Sequence, residues 1–210
     1  MKITSLRKYK GTTYETVLDG VRKIYLHIDI ITDYALSEGM EIDRETLRKV
    51  IYASNFRRAY QYALYRLDYR DYSAEEMYQK LLETYKSDKL CLAVIQKLAS
   101  AGLIDDERFA GNMARRLVEG KKYGFYRAKR EITMKGITQD TAEAALADYK
   151  YAFQENLREL LETKYARSLS DSSDRKAIEK VKNALVRYGY SFTEVNSAVR
   201  EYFEERSSEE

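Results

Sequence analysis

Three consecutive carboxylates, Asp105, Asp106 and Glu107, stand between two apolar runs in GLIDDERFA, residues 102–110. Carboxylates packed this closely can hold a divalent cation or exchange protons. A metal would need further oxygen ligands converging from elsewhere, and no second acidic cluster has a spacing that suggests them. Asp105 also stands where a helix N-cap belongs, with Asp106 and Glu107 in the first turn. Carboxylates there accept amide hydrogen bonds and oppose the positive end of the helix dipole. We read Asp105 and Asp106 as structural caps that start a helix, and expect no metal.

The other reactive side chains are few. The one cysteine, Cys91, sits among Leu90, Val94, Ile95 and Leu98 on an apolar helix face, the setting of a small buried hydrophobe rather than a nucleophile. The one histidine, His27, lies in a strand-like segment with no Ser, Asp or Cys constellation nearby in sequence. The nine glycines form neither GxxxxGK[ST] nor GxGxxG, so no nucleotide-binding loop is expected. We expect no catalytic residues, no cofactor and no enzymatic activity. A lone cysteine points to a reducing compartment and hence the cytoplasm. The apolar runs are short and no hydrophobic segment follows the basic residues of MKITSLRKYKGTTYE, which predicts neither a membrane span nor a signal peptide.

These residues must be positioned mostly by helices. Apolar residues make up 44% of the chain and charged residues 34%, a composition that supports a core under a heavily ionised surface. Proline is absent while tyrosine occurs 20 times. Long helices are therefore unobstructed, and tyrosine suits the margins of helix contacts, with rings that can also stack on bases. The β signal is confined to residues 3–31, where Ile24, Leu26, Ile28 and Ile30 alternate with Tyr25, His27 and Asp29, and Asp19-Gly20 is a pair that closes a two-residue hairpin. From residue 43 the spacing is helical, with Asp43 as a cap.

The helical part repeats itself. Stretches starting at Met77, Ala128 and Val181 align so that Leu81, Ile132 and Leu185 coincide, as do Tyr85, Gly136 and Gly189, then Ser87, Thr138 and Ser191. Each stretch reads as a helix, a turn, a Ser or Thr cap and a second helix. A further amphipathic helix precedes each pair, at about 54–69, 106–119 and 151–168. The fold class is thus mainly α: a tandem array of three three-helix units with a small N-terminal β-hairpin or sheet. The divisions are a β segment over 1–42, a linker helix and first unit over 43–104, a basic second unit over 105–150, and a third unit with an acidic tail over 151–210. Units this small share a core by stacking, and stacked arrays are elongated and curved, serving as binding surfaces.

Charge singles out the second unit. Residues 111–136 hold eight Lys or Arg (115, 116, 121, 122, 127, 129, 130, 135) and two acids (119, 131), net +6, against +3 for the whole chain. On the helix begun by the acids, Phe109, Ala110, Met113, Ala114 and Leu117 fill the buried arc, and Arg108, Asn112 and Arg115 fall opposite. On the next helix Phe125, Ala128 and Ile132 point inward, which sends Arg127, Arg130 and Met134 outward with Tyr123 and Tyr126 beside them. Clustered base with interleaved aromatics suits phosphates or an acidic protein groove. The candidate partner-binding residues are Arg108, Asn112, Arg115, Arg116, Lys121, Lys122, Arg127, Lys129 and Arg130.

Together, Gly102 to Ala110, Arg115, the basic turn from Gly120 to Gly124, REITMKGI from Arg130 to Ile137 and YGYS from Tyr188 to Ser191 resemble the RecX family, over about residues 54–206. The N-terminal β segment resembles an extension found in some members. Phe125 departs from the family, which often has proline after the glycine, and the first unit has TYKSD in place of a glycine turn. The resemblance implies a regulator that binds the RecA recombinase filament on single-stranded DNA, lying along its groove, and typically inhibits ATP hydrolysis and strand exchange. It also implies direct contact with single- or double-stranded DNA in some members. We expect a monomer without a membrane partner. The alternative is a direct, sequence-tolerant nucleic-acid-binding helical repeat protein.

Overall fold

The computed structural model describes residues 1–209. It is mainly α-helical with a small antiparallel sheet at its start, and divides into two compact units: residues 1–70 with 77–103, and residues 71–76 with those from Ile104 onward.

In the first unit β1 (Ile3–Lys10), β2 (Thr13–Leu18) and β3 (Arg22–His27) form an antiparallel sheet in the order β1-β2-β3. Asp19 and Gly20 both adopt positive φ, and the Val21 amide donates to the Leu18 carbonyl at 3.1 Å. The ladder resumes by pairing Leu18 with Arg22. Val21 is therefore an extra loop residue, and the connection is one residue longer than the sequence suggests.

The expected strand through Ile28 and Ile30 is corrected. β3 ends at His27, which caps the short helix α1 (Ile28–Asp33), its Nδ1 accepting from the Asp29 amide at 3.1 Å. Ile30 and Ile31 are both buried, a pairing of consecutive residues that a strand cannot place on one face. They join Ile3, Leu18, Leu26, Leu36 and Ile42 in a core closed by Leu47 and Val50. Those last two residues belong to α2 (Arg44–Leu67), a single 24-residue helix, so the expected linker helix and the helix at 54–69 are continuous. Asp43 caps it, accepting from the Thr46 amide at 2.6 Å. α3 (Ala74–Tyr85) and α4 (Asp88–Ser100) follow, with α4 packed on α2 and Cys91 fully buried. Lys86 takes a φ of 49° in the turn between them.

The second unit contains two further helix pairs, α6 (Phe125–Thr133) with α7 (Gln139–Leu146), and α9 (Arg175–Tyr188) with α10 (Phe192–Glu209). Each is preceded by a helix that widens at its end: α5 (Asp106–Arg115) passes into a π turn at Arg116–Gly120, and α8 (Lys150–Glu159) into one at Leu160–Lys164. A short 3₁₀ segment, Ala166–Leu169, continues the latter. Thr138 caps α7 by accepting from the Thr141 amide at 3.2 Å. Ser191 and Glu194 form a reciprocal capping box at the start of α10. One apolar core runs through all these elements, including Ala110, Ala128, Ile132, Leu146, Leu161, Leu185 and Val195.

The pairs are locked by direct backbone contact. The Gly124 amide donates to the Tyr188 carbonyl at 2.9 Å, and the Tyr126 amide to the Gly189 carbonyl at 3.0 Å. These bonds satisfy donors that a helix start otherwise leaves open. A side chain on Gly124 would place Cβ 2.4 Å from the Gly189 carbonyl carbon, and one on Gly189, at φ +100°, would meet Arg127 Cβ at 2.4 Å. A related close approach, of backbone to side chain, occurs one repeat earlier. A Cβ on Gly136, at φ +82°, would lie 2.2 Å from Glu75 Cβ, while the Ser73 hydroxyl donates to the Lys135 carbonyl. Residues 73–76 thus belong with the second unit although α3 continues beyond them.

Among the described residues no helix is long and apolar enough to cross a membrane. Gly124→Ala forces two backbones apart and is expected to lower unfolding free energy by about 1–3 kcal/mol. Gly189→Ala adds strain at positive φ and should cost at least as much. Urea melts of the two variants check this; unchanged midpoints would mean the backbones are not in contact.

Candidate interaction surface

The acidic triplet is spent on helix starts. Asp105 Oδ1 accepts from the Arg108 amide at 2.9 Å and caps α5. Asp106 turns to a different helix, its Oδ1 accepting from the Ala74 amide at 2.8 Å, at the first residue of α3. Glu107 is exposed in the first turn of α5. Neighbouring acids thus anchor two helix N-termini, a division of labour that local sequence could not reveal because the partner lies 32 residues away.

α5 buries Ala110, Met113 and Ala114 and exposes Arg108, Asn112 and Arg115. Asn112 Nδ2 approaches Asp71 Oδ2 at 3.5 Å. The π turn then shifts the register so that Leu117 and Val118 are buried while Arg116 and Glu119 are exposed. Its altered carbonyls are occupied: Lys121 and Lys122 amides donate to Arg116 and Val118, and buried Asn156 donates from Nδ2 to the Val118 carbonyl at 2.9 Å.

The turn 120–124 is fixed from two sides. Lys122 adopts a φ of 55°, and its carbonyl accepts from the Tyr190 hydroxyl at 2.9 Å. Tyr190 is 2% exposed; burial, followed by the charge of Glu194, pushes its hydroxyl well above the usual tyrosine range. It therefore stays a neutral donor to that carbonyl at any physiological pH.

The basic residues separate into two groups. Lys122 pairs with Glu159, Lys129 with Glu143, and Lys135 with Glu76 at 2.9 Å. Arg127, expected to point outward, is corrected: its guanidinium lies 3.9 Å from the Tyr123 ring centroid, donates to the Arg187 carbonyl at 3.2 Å and stands 3.8 Å from Glu131. The Gly124–Gly189 contact brings Arg127 against α9, so its side chain is engaged there and only 36% exposed. Arg115, Arg116 and Arg130 are exposed and make no ion pair among the described residues. Lys121 is exposed beside the Tyr123 ring, at 5.6 Å.

An aromatic hinge point joins these groups. Tyr123 and Tyr188 meet edge to face, centroids 5.8 Å apart, a favourable arrangement for two ring quadrupoles. Lys164 sits 4.5 Å from the Tyr188 centroid and donates to its hydroxyl. That bond, together with nearby Tyr165, holds the ammonium above the usual lysine range. Lys164 and Tyr188 were not among the sequence candidates, because residue 164 lies outside the basic run and Tyr188 read as part of a helix end. The available signal was the alternation of rings and cations in KYGFYR and KY, residues 122–127 and 164–165.

Comparison with known proteins places this geometry. A family model, RecX, second three-helix domain, matches residues 105–146. The regulatory protein RecX of Geobacillus kaustophilus is 30% identical over 174 residues, covering 82% of this chain and 65% of that protein. The chain is thus similar to RecX regulatory proteins over most of its length. It spans about 65% of the length of this relative, and the regulatory protein RecX of Streptococcus sanguinis is 27% identical over 94% of this chain and 76% of its own length. A crystal structure of RecX from Lactobacillus salivarius aligns with a TM-score of 0.66 at 27% identity, over 71% of this chain and 97% of that one. A second crystal structure, of a regulatory protein RecX, aligns with a TM-score of 0.76 over 95% of this chain and 98% of that one; at 21% identity it speaks to the fold alone. The RecX second domain therefore coincides with α5 to α7, the elements that carry the exposed arginines.

Because Arg127 is held by a ring and a carbonyl while Arg115 and Arg130 are exposed without an ion pair among the described residues, their alanine variants should differ. Arg127→Ala is expected to cost about 1 kcal/mol from the lost ring contact and hydrogen bond. Arg115→Ala and Arg130→Ala should stay within about 0.5 kcal/mol of the unaltered chain. Asp106→Ala should cost about 1 kcal/mol and Asp106→Asn much less, since asparagine keeps the acceptor. Chemical denaturation of all five variants provides the check, and equal midpoints would remove the distinction.

Proposed function

We propose that the protein is a cytoplasmic, non-enzymatic regulator that binds the RecA recombinase filament on single-stranded DNA as a monomer and inhibits its ATP hydrolysis and strand exchange. The observation that carries this reading is the set of exposed arginines Arg115, Arg116 and Arg130, unpaired among the described residues and mounted on rigid helices of the RecX second domain. Lys121 adds a fourth exposed cation at the turn between those helices. The regulatory names of the relatives support it.

The physical logic is electrostatic capture followed by shape fit. Exposed guanidiniums raise the rate of encounter with an acidic groove and present paired donors to carboxylates. Lys122, Lys129 and Lys135, neutralised by Glu159, Glu143 and Glu76, set the framework and contribute less to a partner. Arg108 and Asn112 extend the exposed stripe of α5 toward its start.

The test is the DNA-dependent ATPase of the cognate recombinase with added protein. Inhibition is expected, and it should weaken on Arg115→Glu, Arg116→Glu and Arg130→Glu combined, with the melting temperature held. No inhibition at excess unaltered protein would overturn the reading. Full inhibition by the folded triple variant would move the contact to another face.

A further inference from the structure

The first unit carries a second basic and aromatic surface, on the sheet and distant in sequence from the arginines above. Residues 1–27 hold six Lys or Arg (2, 7, 8, 10, 22, 23) against Glu15 and Asp19, net +4 from side chains. On the face of the sheet opposite the core, Tyr9 of β1 and Tyr25 of β3 reach across β2, ring centroids 5.0 Å apart. They are 64% and 38% exposed. A hydrophobic pair of this size normally contributes by burial, and here most of one ring is left in solvent.

The backbone is shaped to produce this. The register of β1 on β2 slips between Lys8, opposite Tyr14, and Lys10, opposite Thr13. Tyr9 is therefore the extra residue of a β-bulge, a feature that re-aims side chains. As a result Tyr9 and Lys10 line one open cleft of about 450 Å³ together with Thr13, Tyr25 and Arg58. Arg58 donates to the Tyr25 carbonyl at 2.7 Å, one of the five donors a guanidinium has. Glu15, the acid on this face, is countered by Lys23 at 3.2 Å and by the Tyr25 hydroxyl at 3.1 Å.

We propose that this face binds single-stranded nucleic acid, with a base stacked on Tyr9 and Tyr25 and the adjoining phosphates held by Lys10 and Arg58. Rings with cations beside them on an open sheet are the arrangement that takes unstacked bases, whose faces a duplex hides. Lysines on an edge strand also discourage strand pairing, but that role calls for neither the exposed tyrosines nor the bulge that turns Tyr9 toward them. The site lies outside the second three-helix domain and does not depend on contact with a recombinase.

Fluorescence anisotropy of the full chain with a labelled oligo-dT of about 20 nucleotides, at low salt and without recombinase, tests it. Binding is expected, tighter than to a duplex of equal length. Tyr9→Ala should weaken it about fivefold or more with an unchanged melting temperature, whereas Tyr9→Trp should retain it. Lys10→Glu should weaken binding and flatten its salt dependence. The proposal is overturned if oligo-dT is not bound, if Tyr9→Ala and Lys10→Glu bind it as the unaltered chain does, or if binding is lost only on substituting Arg115, Arg116 and Arg130. The absence of recombinase keeps these outcomes separate from the ATPase result.

Discussion

Two glycines held backbone to backbone set the geometry of the second unit. Gly124 and Gly189 approach so closely that neither has room for a methyl group, and the amides of residues 124 and 126 find their acceptors on residues 188 and 189. The start of α6 thus obtains from the end of α9 the hydrogen bonds that a side-chain cap would otherwise supply, and Gly124 itself offers none. Gly136 also lacks room for a methyl group, but there the neighbour is the Glu75 side chain, and the bond across the approach comes from the Ser73 hydroxyl.

What surrounds the contact follows from it. Arg127 is pressed onto Tyr123 and the last turn of α9, Tyr123 meets Tyr188, and Tyr190 reaches back to hold the Lys122 carbonyl. Asn156 secures the π turn that delivers the chain to Gly124. The enclosed side chains are hydrogen-bonded or ring-stacked, so the exposed arginines on the same helices project from a fixed frame. A rigid frame reduces the ordering cost of binding, which is what a surface of few charges requires to act on a partner.

The helical repeat, the sheet at the start, the Cys91 burial and the caps at Asp43 and Thr138 follow from local periodicity and side-chain type. Ile28 and Ile30 misled because two alternating residues after a strand are also compatible with the first turn of a helix, and His27 decides between them by capping it. The ion pairs were beyond reach for a different reason. Lys122 and Glu159 are 37 residues apart, and Lys129 and Glu143 are 14 apart, so which cations are neutralised depends on helix packing rather than on charge density in one stretch. Gly124 carries an ordinary φ of −72°, leaving no local mark of the approach that excludes a side chain there.

Native-state hydrogen exchange at the Gly124 and Tyr126 amides tests this frame most directly. If the contact organises the unit, both amides exchange only on global unfolding, with the same denaturant dependence as the core amides of Ala128 and Ile132. Exchange at the rate of an exposed turn, independent of denaturant, would contradict it and detach the exposed arginines from the frame that is held to position them.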